Sequence, residues 1–326
     1  MKKTIILLVI IMFGVATAIS TGTKNSKDEK KKKPILYRLK QSFEPNLTQI
    51  YRMTEKTKVL RTYEDSTKFE YEREYTYFFS IRARGTYDET GYQALFISID
   101  SLHYNYKDDE HQFDYTTTLG SKKPNHYDLT KTFAINAIEL EVKFSKYFDI
   151  AEIGGEMINW NRNYVTNEKT APKNEFLRSM YQKRYSDKTF KHLFDLGKKV
   201  LPATEIEKDS AWTSELNIDI NQASFKGYVS SKMNALRTDN YQIETVIDGM
   251  KFTDEKYRLE DKKRYATLDS SKAAGTIKYK LLFGGQFEYI ESNIDALLFG
   301  TVSNFKFKEE IKQENTWDLL GTYAYN

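Results

Sequence analysis

The chain has 326 residues, of which 29% are charged and 40% hydrophobic, with 50 Lys or Arg, 46 Asp or Glu and no cysteine. The missing cysteines exclude a disulfide framework and a lipid-bearing thiol, so stability must come from a packed core. Eight of the basic and two of the acidic residues precede Ile35, leaving 42 and 44 in the body; such a near-neutral body argues against a nucleic-acid interface, which needs clustered cations.

Residues 1–18 read as a signal peptide. Lys2 and Lys3 precede the apolar run from Thr4 to Phe13, and Ala16-Thr17-Ala18 supplies a small-residue cleavage site. The run falls short of the ~20 apolar residues of a spanning helix. A mature start near Ile19 and a periplasmic or extracellular location are expected, with no membrane span after cleavage. Residues 19–34 carry six lysines against Asp28 and Glu29. They form a solvated tether, with Lys30 to Lys33 also suited to anionic headgroups or acidic glycans.

From Ile35 the period is two. Ile35, Tyr37, Leu39 and Phe43 alternate with Leu36, Arg38, Lys40, Ser42 and Glu44, a largely polar face, and Tyr51, Met53, Thr57 and Val59 repeat the pattern. The longest run places Phe69, Tyr71, Tyr75, Tyr77, Phe79, Ile81 and Ala83 on one face, opposite Glu72, Glu74, Arg82 and Arg84. At ~3.3 Å per residue such a strand exceeds roughly 45 Å, a length suited to a large curled antiparallel sheet. Arg73 falls on the apolar face and must meet a carboxylate, a carbonyl or a cavity mouth. The turn signals Tyr87 to Gly91, Lys107 to Glu110 and Asp248-Gly249 separate hairpins.

Between Pro172 and Pro202 the period becomes 3.6, with Phe176, Leu177, Met180 and Tyr181 on one face and Phe190, Leu193 and Phe194 on another. The fold class is therefore mainly β: large curled antiparallel sheets in two related halves joined by a helical connector. Its parts are a first half over 35–165, the connector over 166–202 and a second half over 203–326. At an offset of 139, residues 129–152 align with 268–291, matching Leu129/Leu268, Ala134/Ala273, Ile138/Ile277, Phe144/Phe283, Phe148/Phe287 and Glu152/Glu291. An internal duplication predicts that Phe144 and Phe283 are equivalently buried.

The exported start, the Tyr-rich strands, the helical segment ending in Leu201-Pro202 and the following Lys208-Asp209-Ser210-Ala211-Trp212 together resemble a family of uncharacterised exported proteins of Gram-negative bacteria. That resemblance implies the architecture over nearly all of the mature chain and no activity.

Chemical motifs are sparse. The sequence has no nucleophile elbow, phosphate-binding loop or HExxH, so no catalytic residue is assigned and neither metal nor cofactor is expected. Asp108, Asp109, Glu110 and His111 form the one compact acidic and imidazole group, read as a solvated turn in preference to a cation site. Arg82 with Arg84, or Lys262, Lys263 and Arg264, offer an anion at most an exposed contact. The expected function is noncatalytic: an envelope protein whose curved aromatic face, carried by Tyr71, Tyr75, Tyr77 and Phe79, binds an apolar small molecule or a partner protein. A hydrolase of envelope polymers or glycans with a dispersed active site is the alternative. An apolar cavity would favour the first, and a polar cleft with two converging carboxylates the second.

Overall fold

The computed structural model describes residues 34–117, 126, 139–145, 150–187, 190–191, 200–221, 223–254, 256–259 and 262–324. From Ile35 onward these are dominated by antiparallel β-structure. The first half contributes β1 (Leu36–Tyr37), β2 (Leu47–Tyr63), β3 (Lys68–Arg84), β4 (Tyr92–Asp108), β5 (Gln112–Thr116), β6 (Glu139–Ser145) and β7 (Ile150–Gly154). Helices α1 (Glu156–Thr166) and α2 (Glu175–Arg184) follow. The second half contributes β8 (Ile206–Glu207), β9 (Ala211–Ile220), β10 (Ala223–Leu236), β11 (Asn240–Phe252), β12 (Tyr257–Leu259), β13 (Arg264–Leu282), β14 (Phe287–Val302) and β15 (Phe305–Ala324).

Both halves share one 13-stranded sheet of order β7-β6-β4-β3-β2-β15-β14-β13-β11-β10-β9, with β5 beside β4 and β12 beside β13. Read from β9, the order is a meander through the second half, then through the first in the same direction. The halves meet where β15 pairs with β2 along their whole length, from Phe307↔Tyr63 to Ala324↔Leu47. The helical connector therefore runs in sequence from one sheet edge, β7, to the other, β9.

The sheet curls. The hydroxyl of Tyr71 on β3 donates to Asn221 Oδ1, in the β9–β10 turn, at 3.0 Å. Six strand spacings of ~4.8 Å would set these strands nearly 30 Å apart in a flat sheet. Asn221 N–H also donates to Gln313 Oε1 of β15 at 2.6 Å. At the other end, Leu39 and Phe43 pack inside, held by Gln93 Nε2 on Phe43 O and by Ser42 N–H on Gly285 O. The inward face is thus buried by the sheet's own far strands and by the segment ahead of β2.

Alternation decides which residues face inward. Tyr51, Met53, Val59, Tyr71, Tyr77, Phe79, Ile294, Ile311 and Trp317 are buried, while the opposite face carries a ladder of Lys58 with Glu72 and Glu70, Lys56 with Glu74, and Arg52 with Asp318. One close approach needs glycine: a Cβ on Gly275 of β13 would stand 2.1 Å from Asn293 O of β14.

Three expectations need correction. The helical part begins at Glu156, ten residues ahead of the expected connector, because Gly154-Gly155 ends β7 and Gly155 takes φ 118°; only Ile158 and Val165 of α1 are buried, too few to show a period. Asp248-Gly249 is not a turn. Gly249, at φ 78°, makes a bulge inside β11, so the inward parity passes from Ile247 to Met250. Third, Phe144 is buried, whereas Phe283 is 50% exposed. Strand β13 ends at Leu282, so Phe283 enters the turn and lies on Tyr241 at 4.8 Å. The neighbouring pairs Leu140/Tyr279 and Val142/Leu281 do share burial; Leu129, Ala134, Ile138 and Phe148 lie outside the described residues, as do Leu193 and Phe194 of the connector.

Candidate functional site

All four residues of the expected aromatic surface lie on the inward face of β3. Tyr71, Tyr77 and Phe79 are buried and packed on protein rings: Tyr71 stacks on Tyr106 at 5.7 Å, Phe79 stacks on Tyr51 at 5.5 Å, and Trp317 meets Phe79 edge-on at 5.2 Å. Tyr75 differs in being only half-buried. On the opposite face Glu72 and Arg84 are exposed and Glu74 and Arg82 half-exposed, with Arg82 paired to Glu139.

The inward face is not uniformly apolar. Register places Ser231, Thr245, Ile277, Ser292, Asn315, Glu55, Tyr75 and Tyr104 opposite one another in a single transverse row over eight strands. The adjacent row carries Ile294, Gln313, Thr57, Arg73 and Tyr106. Where these rows cross β2 and β3, Arg73 Nη2 donates to Glu55 Oε1 at 3.3 Å, Thr57 Oγ1 donates to the same oxygen at 3.0 Å, and the Arg73 guanidinium lies 5.8 Å from the centre of the Tyr75 ring. Arg73 thus has the carboxylate its position demands. Tyr75 is held well above the usual phenol range, first by burial and then by the Glu55 carboxylate. Two atoms of the row, Ser292 Oγ and Asn315 Oδ1, are buried with no hydrogen bond.

A second ion pair sits farther along β2, with its partner on β15. Arg61 Nε donates to Glu309 Oε2 at 2.6 Å, the Tyr257 hydroxyl donates to the other Glu309 oxygen at 2.5 Å, and Phe69 and Phe307 lie against the guanidinium. Arg61 and Glu309 are 3% and 0% exposed. Burial, then the Glu309 charge, also pushes the Tyr257 phenol up. Glu309 is opposite Arg61 and Glu55 is six residues along β2, so the two carboxylates are separated by roughly 20 Å. They do not converge.

Other charged positions are ordinary surface. A shallow groove of about 390 Å³ on the outer face is lined by Lys56, Lys58, Glu72, Glu74, Lys312 and Glu314, where Lys56 and Lys58 are already paired. Lys262 lies over the Tyr63 ring at 5.0 Å and Arg264 donates to Ser303, beside Asp65.

The β4–β5 turn brings together more than its local sequence announced. Asp108 Oδ1 accepts the N–H groups of Glu110 and His111, and its Oδ2 accepts the Tyr106 hydroxyl at 2.9 Å. Burial alone would raise this carboxyl, but the bonds from Glu110, His111 and Tyr106 outweigh it and hold it below the ordinary range. His126, from outside the hairpin, is buried against Tyr106, Phe113 and His111.

No family model matches the sequence, and no curated protein matches it. Among solved structures the chain is similar to one titled "lipid-protein interactions in lipovitellin", with a TM-score of 0.46 and 11% identity over 87% of this chain and 26% of that one. The chain thus spans about a quarter of that protein, and at this score the likeness carries no functional argument.

Proposed function

We propose that this is an exported, noncatalytic protein of the bacterial envelope that holds a molecule with an apolar body and one polar end against the inward face of its curled sheet. The carrying observation is the Ser292–Asn315–Glu55–Tyr75 row. Two of its buried polar atoms lack a hydrogen bond, and a buried group left in that state costs about 1–3 kcal/mol. A ligand head group with both a donor and an acceptor would satisfy Ser292 and Asn315 beside the half-buried Tyr75. Its apolar part would enter by parting the rings of Tyr77, Phe79 and Trp317 in the next rows, which pack on protein rings here. Export is supported by Lys2, Lys3, the apolar run and Ala16-Thr17-Ala18. No helix among the described residues is long and apolar enough to cross a membrane.

The hydrolase reading finds no support at these carboxylates: Glu55 and Glu309 are far apart, each engaged with an arginine. The test is mass spectrometry of molecules that copurify with the mature protein from its own envelope. A stoichiometric amphiphile is the expected result. A hydrophobic protein segment in its place would move the proposal to a partner chain, and a protein recovered bare from gentle, detergent-free preparation would leave the row a purely structural feature.

A further inference from the structure

We propose that Asp108, His111 and His126 form a zinc site that fastens residue 126 to the β4–β5 hairpin. The first two residues are supplied by the turn itself. Strand β4 ends at Asp108, and the N–H groups of Glu110 and His111, at 2.8 and 2.6 Å, fold the chain around its carboxylate. That closure brings His111 Nδ1 to 3.2 Å from Asp108 Oδ1. The third arrives from fifteen residues farther on, with its ring 4.4 Å from Tyr106, 5.1 Å from Phe113 and 5.2 Å from His111. One ligand atom from each residue lies within 4.8 Å of the others.

This spacing suits one small ion. Donors at about 2.1 Å from a tetrahedral zinc are ~3.4 Å apart, so side-chain rotations of about an ångström complete the site without moving the strands. Two imidazoles and a carboxylate, with no thiolate, favour zinc over the hard cations, which take oxygen ligands. Metal sites usually tie their ligands down with outer hydrogen bonds, and here the Tyr106 hydroxyl holds the second Asp108 oxygen at 2.9 Å. Three protein ligands leave one coordination position open to water or to a donor from another molecule.

The test is zinc titration of the chelator-stripped, full-length mature protein by calorimetry against a competing chelator, with cobalt(II) substitution followed by absorption spectroscopy. One zinc per chain is expected, together with the strong visible bands of tetrahedral cobalt. His111→Gln and His126→Gln should each weaken binding at least about 100-fold, and Tyr106→Phe, which removes the hydroxyl that holds the second Asp108 oxygen, by about tenfold. His103→Gln is the control: His103 pairs with Asp114 at 2.9 Å outside the trio, and its loss should change nothing. Absence of zinc uptake by the unaltered protein overturns the proposal, as does uptake that survives both His111→Gln and His126→Gln. Should a variant lose its β-sheet circular dichroism, the cobalt spectrum of the unaltered protein decides, since bands of octahedral intensity would equally overturn it.

Discussion

Among the described residues, two buried ion pairs of this sheet are built from the same residue types on neighbouring strands, yet they differ in how their carboxylates are engaged. Arg61 and Glu309 meet at 2.6 Å, Tyr257 occupies the second carboxylate oxygen, and aromatic rings cover the guanidinium. Glu55 and Arg73 meet at 3.3 Å, beside a half-buried tyrosine and two polar atoms that bond to nothing. The first arrangement fills both oxygens of its carboxylate; the second leaves Ser292 Oγ and Asn315 Oδ1 beside it without a hydrogen bond, and the proposed recognition role rests on that difference.

The clamp should show the largest effect. Glu309→Gln or Arg61→Met alone strands a buried partner and should lower unfolding free energy by about 3–5 kcal/mol, whereas the double change Arg61→Met/Glu309→Leu should cost only about 1–3 kcal/mol, from the Tyr257 hydroxyl it leaves without an acceptor. Denaturant midpoints of the three variants check this. Phe79→Ala, which opens a hole beside Trp317 and Tyr51, should cost a similar ~3–5 kcal/mol in the same measurement.

The Glu55–Arg73 pair should respond more weakly. Glu55→Gln or Arg73→Met alone should destabilise less than the single changes at Arg61 and Glu309, because this pair meets at 3.3 Å and the other at 2.6 Å, while Glu55→Gln/Arg73→Met should abolish ligand retention. Equal destabilisation by single changes in the two pairs would remove the distinction between them.

Alkali offers a probe of both. The phenols of Tyr75 and Tyr257 are raised by burial and by their glutamate neighbours, and those of Tyr51 and Tyr279 by burial. A raised folded-state value means that the unfolded chain loses its phenolic protons first, at its ordinary value near 10. Stability from these groups is therefore full below about pH 10 and falls as pH rises beyond it. Phenolate absorbance should grow in one cooperative step together with loss of β circular dichroism; a gradual titration with the sheet intact would contradict the packing. The smallest effect belongs to the outer face. Lys58→Ala removes an exposed ion pair with Glu70 and Glu72 and should leave the denaturant midpoint unchanged, since such pairs exchange one solvated state for another.

Much of this was legible in the chain. Period-two alternation placed Tyr71, Tyr77 and Phe79 inward and Glu72 and Arg84 outward, because the pleat leaves a strand no other choice. Arg73 announced its partner by standing on the wrong face, and Glu55 could have been found by the same rule. It occupies the inward parity between Met53 and Thr57, just as Glu309 does between Phe307 and Ile311. What parity cannot give is which strands lie side by side. The pairing of β15 with β2, the return of Asn221 over β3 and the approach of His126 to Asp108 join residues with no local signal. The strand-internal Gly249 shows the opposite limit, since Asp-Gly serves a bulge as readily as a turn.

The contrast between the pairs is tested most directly by titrating a fluorescent long-chain primary amide, whose head group both donates and accepts, into the mature protein and into the double variants Glu55→Gln/Arg73→Met and Arg61→Met/Glu309→Leu. Saturable one-to-one binding is predicted for the unaltered protein and the Arg61/Glu309 variant, with binding lost in the Glu55/Arg73 variant. Binding that is absent from all three, or equal in all three, would contradict a recognition role for the Glu55–Arg73 row.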